Sequence, residues 1–203
     1  MTEKWHLREC TFLQYRGARY SVSVKFSGGN LDRFFAVDRA GKLTEGIVLE
    51  LVRHADVEPE FLQAHVDNLY PAGLSAHGEQ YLLSNDSRGN IASPIIELLF
   101  ENVRKAHFPD CPSRFQSIFA CCSIEEARQF RASYGESNSP IWEIYTEGPI
   151  FKGNMRLLDN NQTNLICSYL AHEYWSGRQG LQKLSGLTEV VLELPATVGA
   201  RIE

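Results

Sequence analysis

The chain has 203 residues, of which 43% are hydrophobic and 22% charged, and its formal net charge is −5. That length buries a sizeable core, and 15 Gly and 8 Pro without a repeating period exclude a collagen-like or coiled-coil chain. The 20 basic and 25 acidic residues are evenly mixed, so no basic tail or stripe supports nucleic-acid affinity through phosphate neutralisation.

The first ten residues are broken by Glu3, Lys4, His6, Arg8 and Glu9 and hold no apolar signal-peptide core. No run anywhere approaches the ~20 apolar residues that span a bilayer. A cytoplasmic protein with no membrane partner is expected. Trp5–Gln14 and Ala18–Phe26 are β-rich and flank a turn at Arg16–Gly17. They predict a hairpin, an N-terminal extension over residues 1–32 of a single domain spanning 1–203. Ser27–Asn30 breaks the pattern, Arg33–Asp38 follows as a short aromatic strand, and Ile47–Val52 as another. Pro59–Tyr70 predicts a helix with Phe61, His65 and Leu69 on one stripe. Tyr70–Asn90 is a long loop in which turns account for Gly73 and Gly78.

Ser93–Ala106 is the clearest helix, with Ser93 as its cap, Pro94 at its first position and Ile95, Ile96, Leu99, Phe100 and Val103 as its apolar face. A strand over Arg114–Cys121 comes next. Ser123-Ile-Glu-Glu126 then opens a second helix with a capping box. Ala127, Phe130 and Tyr134 line its inner face, and Gly135 ends it. Ile141–Tyr145 reads as a buried strand. Gln162–Trp175 predicts a helix striped by Leu165, Ile166, Tyr169, Leu170 and Tyr174, and Glu189–Val198 a closing strand. Helices and strands mix without regular βαβ alternation, so the fold class is α+β.

Chemistry is sparsely marked. GxGxxG, GxxxxGK[ST], HExxH and GxSxG are all missing. Five cysteines without CxxC spacing read as reduced structural thiols, and no metal is expected. His172 and Glu173 read as helix packing, and Tyr174-Trp175 as a core anchor. In the closing strand Val190, Leu192 and Leu194 take one face, with Glu189, Val191 and Glu193 on the other. Glu189 is then either a carboxylate presented into a cleft or an acidic outer residue of a solvated edge strand.

The segment from Ser113 to Tyr134, the strand Ile141–Pro149 and the closing Thr188-Glu-Val-Val-Leu-Glu-Leu194 together resemble the ADP-ribosyltransferase superfamily. The middle block is similar to the rifamycin-modifying branch, and the closing strand to the one carrying the catalytic glutamate in poly-ADP-ribose polymerases. Phe34-Phe-Ala-Val-Asp-Arg39 followed by Leu43-Thr-Glu-Gly46 stands where the first motif belongs, although its His or Arg position is Ala36. The chain also resembles an uncharacterised bacterial family near these transferases in Gly73-Leu-Ser-x-His-Gly78, Pro112-Ser-Arg-Phe-Gln-Ser117 and Ala171-x-x-Tyr-Trp-x-Gly177.

The resemblance implies a pair of small twisted antiparallel sheets with flanking helices and an NAD cleft between Arg33–Asp38 and Arg114–Cys121. It assigns catalysis to Glu189, which would hold the ribose 2′-hydroxyl and stabilise an oxocarbenium-like centre. NAD contacts fall to Phe35, Asp38 and Arg39 on the first strand and to Ser113, Arg114, Ser117 and Phe119 on the second. The two phenylalanines read otherwise as core, and Arg114 as a surface strand arginine. The implied activity is mono-ADP-ribosyl transfer from NAD to a macromolecule, protein or nucleic acid, in the manner of a bacterial toxin or defence effector with an antitoxin or inhibitor partner. A non-catalytic binding or regulatory protein on a degenerate version of the fold is the alternative. On the strand pattern, Glu189→Gln should barely change folding.

Overall fold

The computed structural model describes residues 10–11, 21–22, 32–84, 90–158, 162–177 and 187–203. Among them the strands in chain order are β1 (Cys10–Thr11), β2 (Ser21–Val22), β3 (Asp32–Val37), β4 (Val48–Leu49), β5 (Ser117–Ala120), β6 (Ile141–Thr146), β7 (Ile150–Asn154), β8 (Thr188–Glu193) and β9 (Ala196–Arg201). The α-helices are α1 (Glu60–Leu69), α2 (Ala76–Gly78), α3 (Pro94–His107), α4 (Ile124–Tyr134) and α5 (Asn164–Trp175). The class is α+β. β1 and β2 pair antiparallel within the expected hairpin, with Cys10 opposite Val22; the rest of that hairpin lies outside the described residues.

The other strands form two antiparallel sheets, one in the order β3-β6-β9-β4 and one in the order β5-β8-β7. Their edges touch at one bridge between Phe35 and Cys121, whose N–H and carbonyl groups exchange bonds of 3.0 and 2.8 Å. Away from the bridge β3 and β5 part. Phe34, Ala36, Ile144 and Val198 of the larger sheet share a core with Ala120, Ile150, Val190 and Leu192 of the smaller. On the other face of the smaller sheet, Val191 and Phe151 pack against Phe100 and Val103 of α3 and Ala171, Tyr174 and Trp175 of α5. Each such fully buried large side chain contributes about 1.5–3 kcal/mol, so β8 is fixed from both sides.

That burial corrects the reading of the closing segment. The expected strand Glu189–Val198 is two strands, β8 and β9, which belong to different sheets and are separated by Leu194-Pro195. β8 is the central strand of its sheet, so Glu189 is not on a solvated edge. The predicted strand Arg114–Cys121 also divides, into a 3₁₀ turn at Arg114–Gln116 and β5. β7 was not anticipated, because Gly148-Pro149 reads as a stop although the chain resumes β structure at once.

The stripes of α1 and α5 are rotated from their expected positions, while that of α3 holds at Ile96, Leu99, Phe100 and Val103. In α1, Phe61 and His65 face solvent while Val66 is buried. In α5, Leu165, Ile166 and Tyr169 are exposed, and Cys167, Ala171, Tyr174 and Trp175 form the inner face. In α3, Ile95 is exposed and three charged residues, Glu97, Glu101 and Arg104, are buried. The caps follow expectation. Ser93 Oγ accepts from the Ile96 N–H, and the Ser123–Glu126 capping box closes in both directions. The expected loop over Tyr70–Asn90 contains α2 and a π-helical turn at Glu79–Leu83.

Candidate functional site

Where β3 and β5 diverge, a cavity of about 470 Å³ opens, within the usual range of small-molecule pockets. One wall is Phe35 to Val37 of β3 and the residues after it, Asp38 and Arg39 among them. Ile118, Phe119 and Ala120 of β5 form another, and α2 with the following π turn closes a third. Glu97, Arg114 and Glu189 line it as well, bringing charge from α3, the 3₁₀ turn and β8 to one place.

The charged group is a buried relay. Arg114, only 2% exposed, donates from Nε and Nη2 to the two carboxylate oxygens of Glu97 at 2.6 and 2.8 Å. Its Nη1 donates to Glu189 Oε1 at 2.5 Å and to Tyr174 Oη at 2.6 Å. Tyr174 Oη in turn donates to Glu189 Oε1 at 2.6 Å. Charge-assisted bonds of this kind are short and strong, and here they hold the Glu189 carboxylate from two directions. Burial would raise the Glu97 pKa, but the Arg114 charge, with His77 beside it, outweighs burial and holds the carboxyl well below the usual carboxylate range. Burial likewise opposes the Arg114 charge, and Glu189 and Glu97 overcome it, so the guanidinium stays protonated. Burial pushes the Tyr174 phenol well above its ordinary value, so it remains a hydrogen-bond donor.

Local sequence builds this arrangement. Ser113 caps the 3₁₀ turn through the Phe115 N–H, which turns Arg114 inward. Tyr174 packs closely against β7 because residue 153 is glycine: a Cβ there would stand 2.2 Å from the tyrosine ring. Gly153 faces Glu189 in the β7–β8 register, so the missing side chain lies beside the carboxylate. Trp175 anchors the same turn of α5 by donating Nε1–H to the Phe100 carbonyl at 2.8 Å.

The aromatic wall comes from α2. Ser75 caps it, accepting from the Gly78 N–H and donating to the Phe115 carbonyl. Gly78 is helical rather than a turn glycine, and its role is close approach: a Cβ would stand 2.2 Å from the Phe115 carbonyl oxygen. The contact brings His77 into the cavity, stacked on Tyr81 at 4.3 Å and tilted against Phe119 at 4.5 Å. His77 Nε2 stands 3.4 Å from Glu97 Oε2, outside hydrogen-bond geometry. The Arg114 guanidinium lies 4.6 Å from the Phe119 ring, so the ring's face is turned to a cation.

Six of the eight expected site residues line this one cavity: Phe35, Asp38, Arg39, Arg114, Phe119 and Glu189. Their roles shift. Arg114 is not a surface strand arginine but the buried centre of the relay. The Asp38 carboxylate accepts the Lys42 and Leu43 N–H groups at 3.1 and 2.8 Å, bracing the loop after β3. Arg39 lies over the Phe130 ring and reaches the Tyr134 carbonyl. Ser113 and Ser117 are drawn away from the cavity: one hydroxyl donates to Glu101, the other to the Ser113 carbonyl. Ala36, at the position expected to be His or Arg, is buried and lines the cavity.

Glu97, Tyr174 and His77 complete the site; Glu97 is absent from the expected set, Tyr174 reads in the sequence as a core anchor, and His77 as a loop residue that could reach a target. The signal for Glu97 was its spacing, since Glu97, Glu101 and Arg104 stand at i, i+4 and i+7, a polar stripe along a helix read for its apolar residues. Cys121 also lines the cavity; burial, then Glu126, pushes its thiol up to about 12, so it is a protonated structural thiol rather than a nucleophile.

Among the described residues no group of three or more His, Cys, Asp or Glu side chains is arranged to hold a metal ion, and no helix is long and apolar enough to cross a membrane. Comparison with curated proteins finds no match. The family model described as a protein of unknown function, DUF2441, matches residues 30–203, and the chain belongs to that family.

Proposed function

We propose that the protein is an NAD-dependent ADP-ribosyltransferase that modifies a macromolecule. The observation that carries this reading is the position of Glu189. A carboxylate at the start of a central strand, 6% exposed, faces the cavity formed where β3 and β5 part. This is the cleft in which the resemblance expects NAD. In the reaction, the bond between the nicotinamide nitrogen and ribose C1′ breaks, and its electron pair leaves with nicotinamide. An oxygen or nitrogen of the acceptor bonds to C1′ and gives up its proton to solvent. Positive charge builds on the ribose ring on the way, and a preorganised anion in a water-poor site stabilises it. Arg114 and Tyr174 both hold Oε1 of Glu189, so the carboxylate can accept from a ribose hydroxyl through Oε2 without giving up either bond. Phe35, half-buried on β3, supplies a flat face for an aromatic ring, and Arg39 a cation for phosphate.

A second reading, a binding protein on the same fold, is favoured by Ala36, which offers no polar group where the first motif expects one. Thermal unfolding at millimolar NAD separates the two. A cofactor bound at a hundred times its Kd stabilises by about 2.7 kcal/mol, and an unmoved transition favours the binding protein. Incubation with labelled NAD and a cell extract then tests transfer. Label removed by protease identifies a protein target, label removed by nuclease a nucleic-acid target, and no macromolecular label refutes the transferase.

A further inference from the structure

We propose that Glu97 is a positioning residue for Glu189, neutralising Arg114 so that Glu189 remains the uncompensated negative charge of the cavity floor. The inference rests on the transferase reading and deepens it, since a carboxylate cancelled by its own arginine would stabilise no cation. Arg114 Nη1 lies 2.5 Å from Glu189, and with that contact alone the two charges would cancel. Glu97 takes the other side of the same guanidinium through both of its carboxylate oxygens. Two carboxylates and one guanidinium leave one net negative charge. All three side chains are at least nine-tenths buried, where solvent screens little of it.

The remaining lining charges do not alter that balance at the floor. Arg39, Lys42 and Glu79 are exposed, and the Asp38 carboxylate is engaged by two backbone N–H groups. His77 is the other basic group facing Glu97, at 3.4 Å; its imidazolium would cancel the charge, so the balance holds where the imidazole is neutral and the titrations below are run above the ordinary histidine range. A buried carboxylate is also a poor choice for packing alone. Position 97 is 1% exposed on the face of α3 that buries Ile96 and Phe100, and apolar residues often replace buried ion pairs there without loss of stability.

Two probes with the same ring and different charge test the assignment: neutral nicotinamide and the cation 1-methylnicotinamide, titrated calorimetrically into the whole chain. The wild-type protein should bind the cation roughly tenfold more tightly or better. Glu97→Gln should lose the preference, and Glu97→Asp should keep it. The double variant Glu97→Gln/Arg114→Gln again leaves one net negative charge and should recover it, an outcome that a merely structural Glu97 would not produce. Equal affinity for the two probes, or no binding of either, overturns the proposal on the wild-type protein alone, whatever the variants' stability. A double variant no better than the single also overturns it. The transferase reading fails separately. If the cation is preferred but NAD is never consumed, that reading falls and the role of Glu97 stands. If NAD is consumed while Glu97→Gln keeps the wild-type rate and preference, the role of Glu97 falls and the transferase stands.

Discussion

Glu189→Gln separates stability from chemistry in one substitution. Glutamine keeps the shape, and its amide oxygen can still accept from Arg114 Nη1 and Tyr174 Oη, both now bonded to Oε1. What disappears is the charge. Two unit charges 4 Å apart interact by about 4 kcal/mol at an effective dielectric of 20, but the neutral amide is also cheaper to bury than the carboxylate. Arg114 keeps both bonds to Glu97, so it is not left bare. A net loss of about 1–2 kcal/mol follows, which lowers the midpoint of thermal unfolding by roughly 2–8 °C for a chain of this size. This replaces the expectation from the strand pattern that folding is untouched. NAD-consuming activity should fall about 10²–10³-fold. Glu193→Gln is the control: Glu193 lies at the far end of β8, opposite Ser117, and is half-buried outside the relay. Its substitution should change stability by less than about 0.5 kcal/mol and leave activity intact. An unchanged melting temperature for Glu189→Gln would refute the buried pair, and full activity would refute the mechanism.

Three further outcomes follow from the relay and its supports. Tyr174→Phe keeps the ring packed on Phe151 and Trp175 but removes a hydroxyl bonded to two charged groups, and should cost about 1.5–3 kcal/mol in denaturant unfolding at unchanged m-value; a smaller loss than about 0.5 kcal/mol contradicts the hydroxyl's role. Gly78→Ala introduces a Cβ 2.2 Å from the Phe115 carbonyl oxygen and should destabilise by about 1–3 kcal/mol, since α2 must lift from Phe115; an alanine variant that melts with the wild type argues against the contact. Because Arg114 holds the folded-state Glu97 pKa below its ordinary value, Glu97 contributes stability that is complete above the unfolded value and lost as pH falls through the folded one. Stability should therefore decline below about pH 5, with a shallower decline in Glu97→Gln, and equal acid slopes would exclude Glu97 as a source.

Element types were legible where local chemistry decides them. Ser93-Pro94 and Ser123–Glu126 carry their caps in the sequence, and α3 and α4 begin where those residues put them. Alternation also correctly separated Glu189 from Val190 and Leu192. It was silent on what covers the second face, because a central strand packed on helices is apolar on both sides, and Val191 reads the same whether it meets α5 or water. β7 escaped because Gly148-Pro149 punctuates the chain without ending the sheet. Periodicity weighs Ile95, Leu165 and Phe61 by hydrophobicity alone, and so it finds Tyr174 on α5 but passes over Glu97 on α3, whose partner Arg114 lies 17 residues further along the chain.

That long-range requirement accounts for the three short segments Gly73–Gly78, Pro112–Ser117 and Ala171–Gly177. None marks a secondary structure by itself, yet they meet. The Ser75 N–H bonds the Phe115 carbonyl at 2.9 Å, and Gly78 packs on that same carbonyl. Arg114, next to Phe115, reaches Tyr174, and both reach Glu189. Each residue is constrained by another segment rather than by its neighbours: glycine where a backbone approaches, arginine where two carboxylates must share one cation, tyrosine where a donor must cross from α5 to β8. A packed core tolerates exchange among apolar residues of similar volume. A buried relay does not, because removing one member leaves another charged and unpaired. The polar members of these segments are therefore the positions at which substitution should cost this protein most.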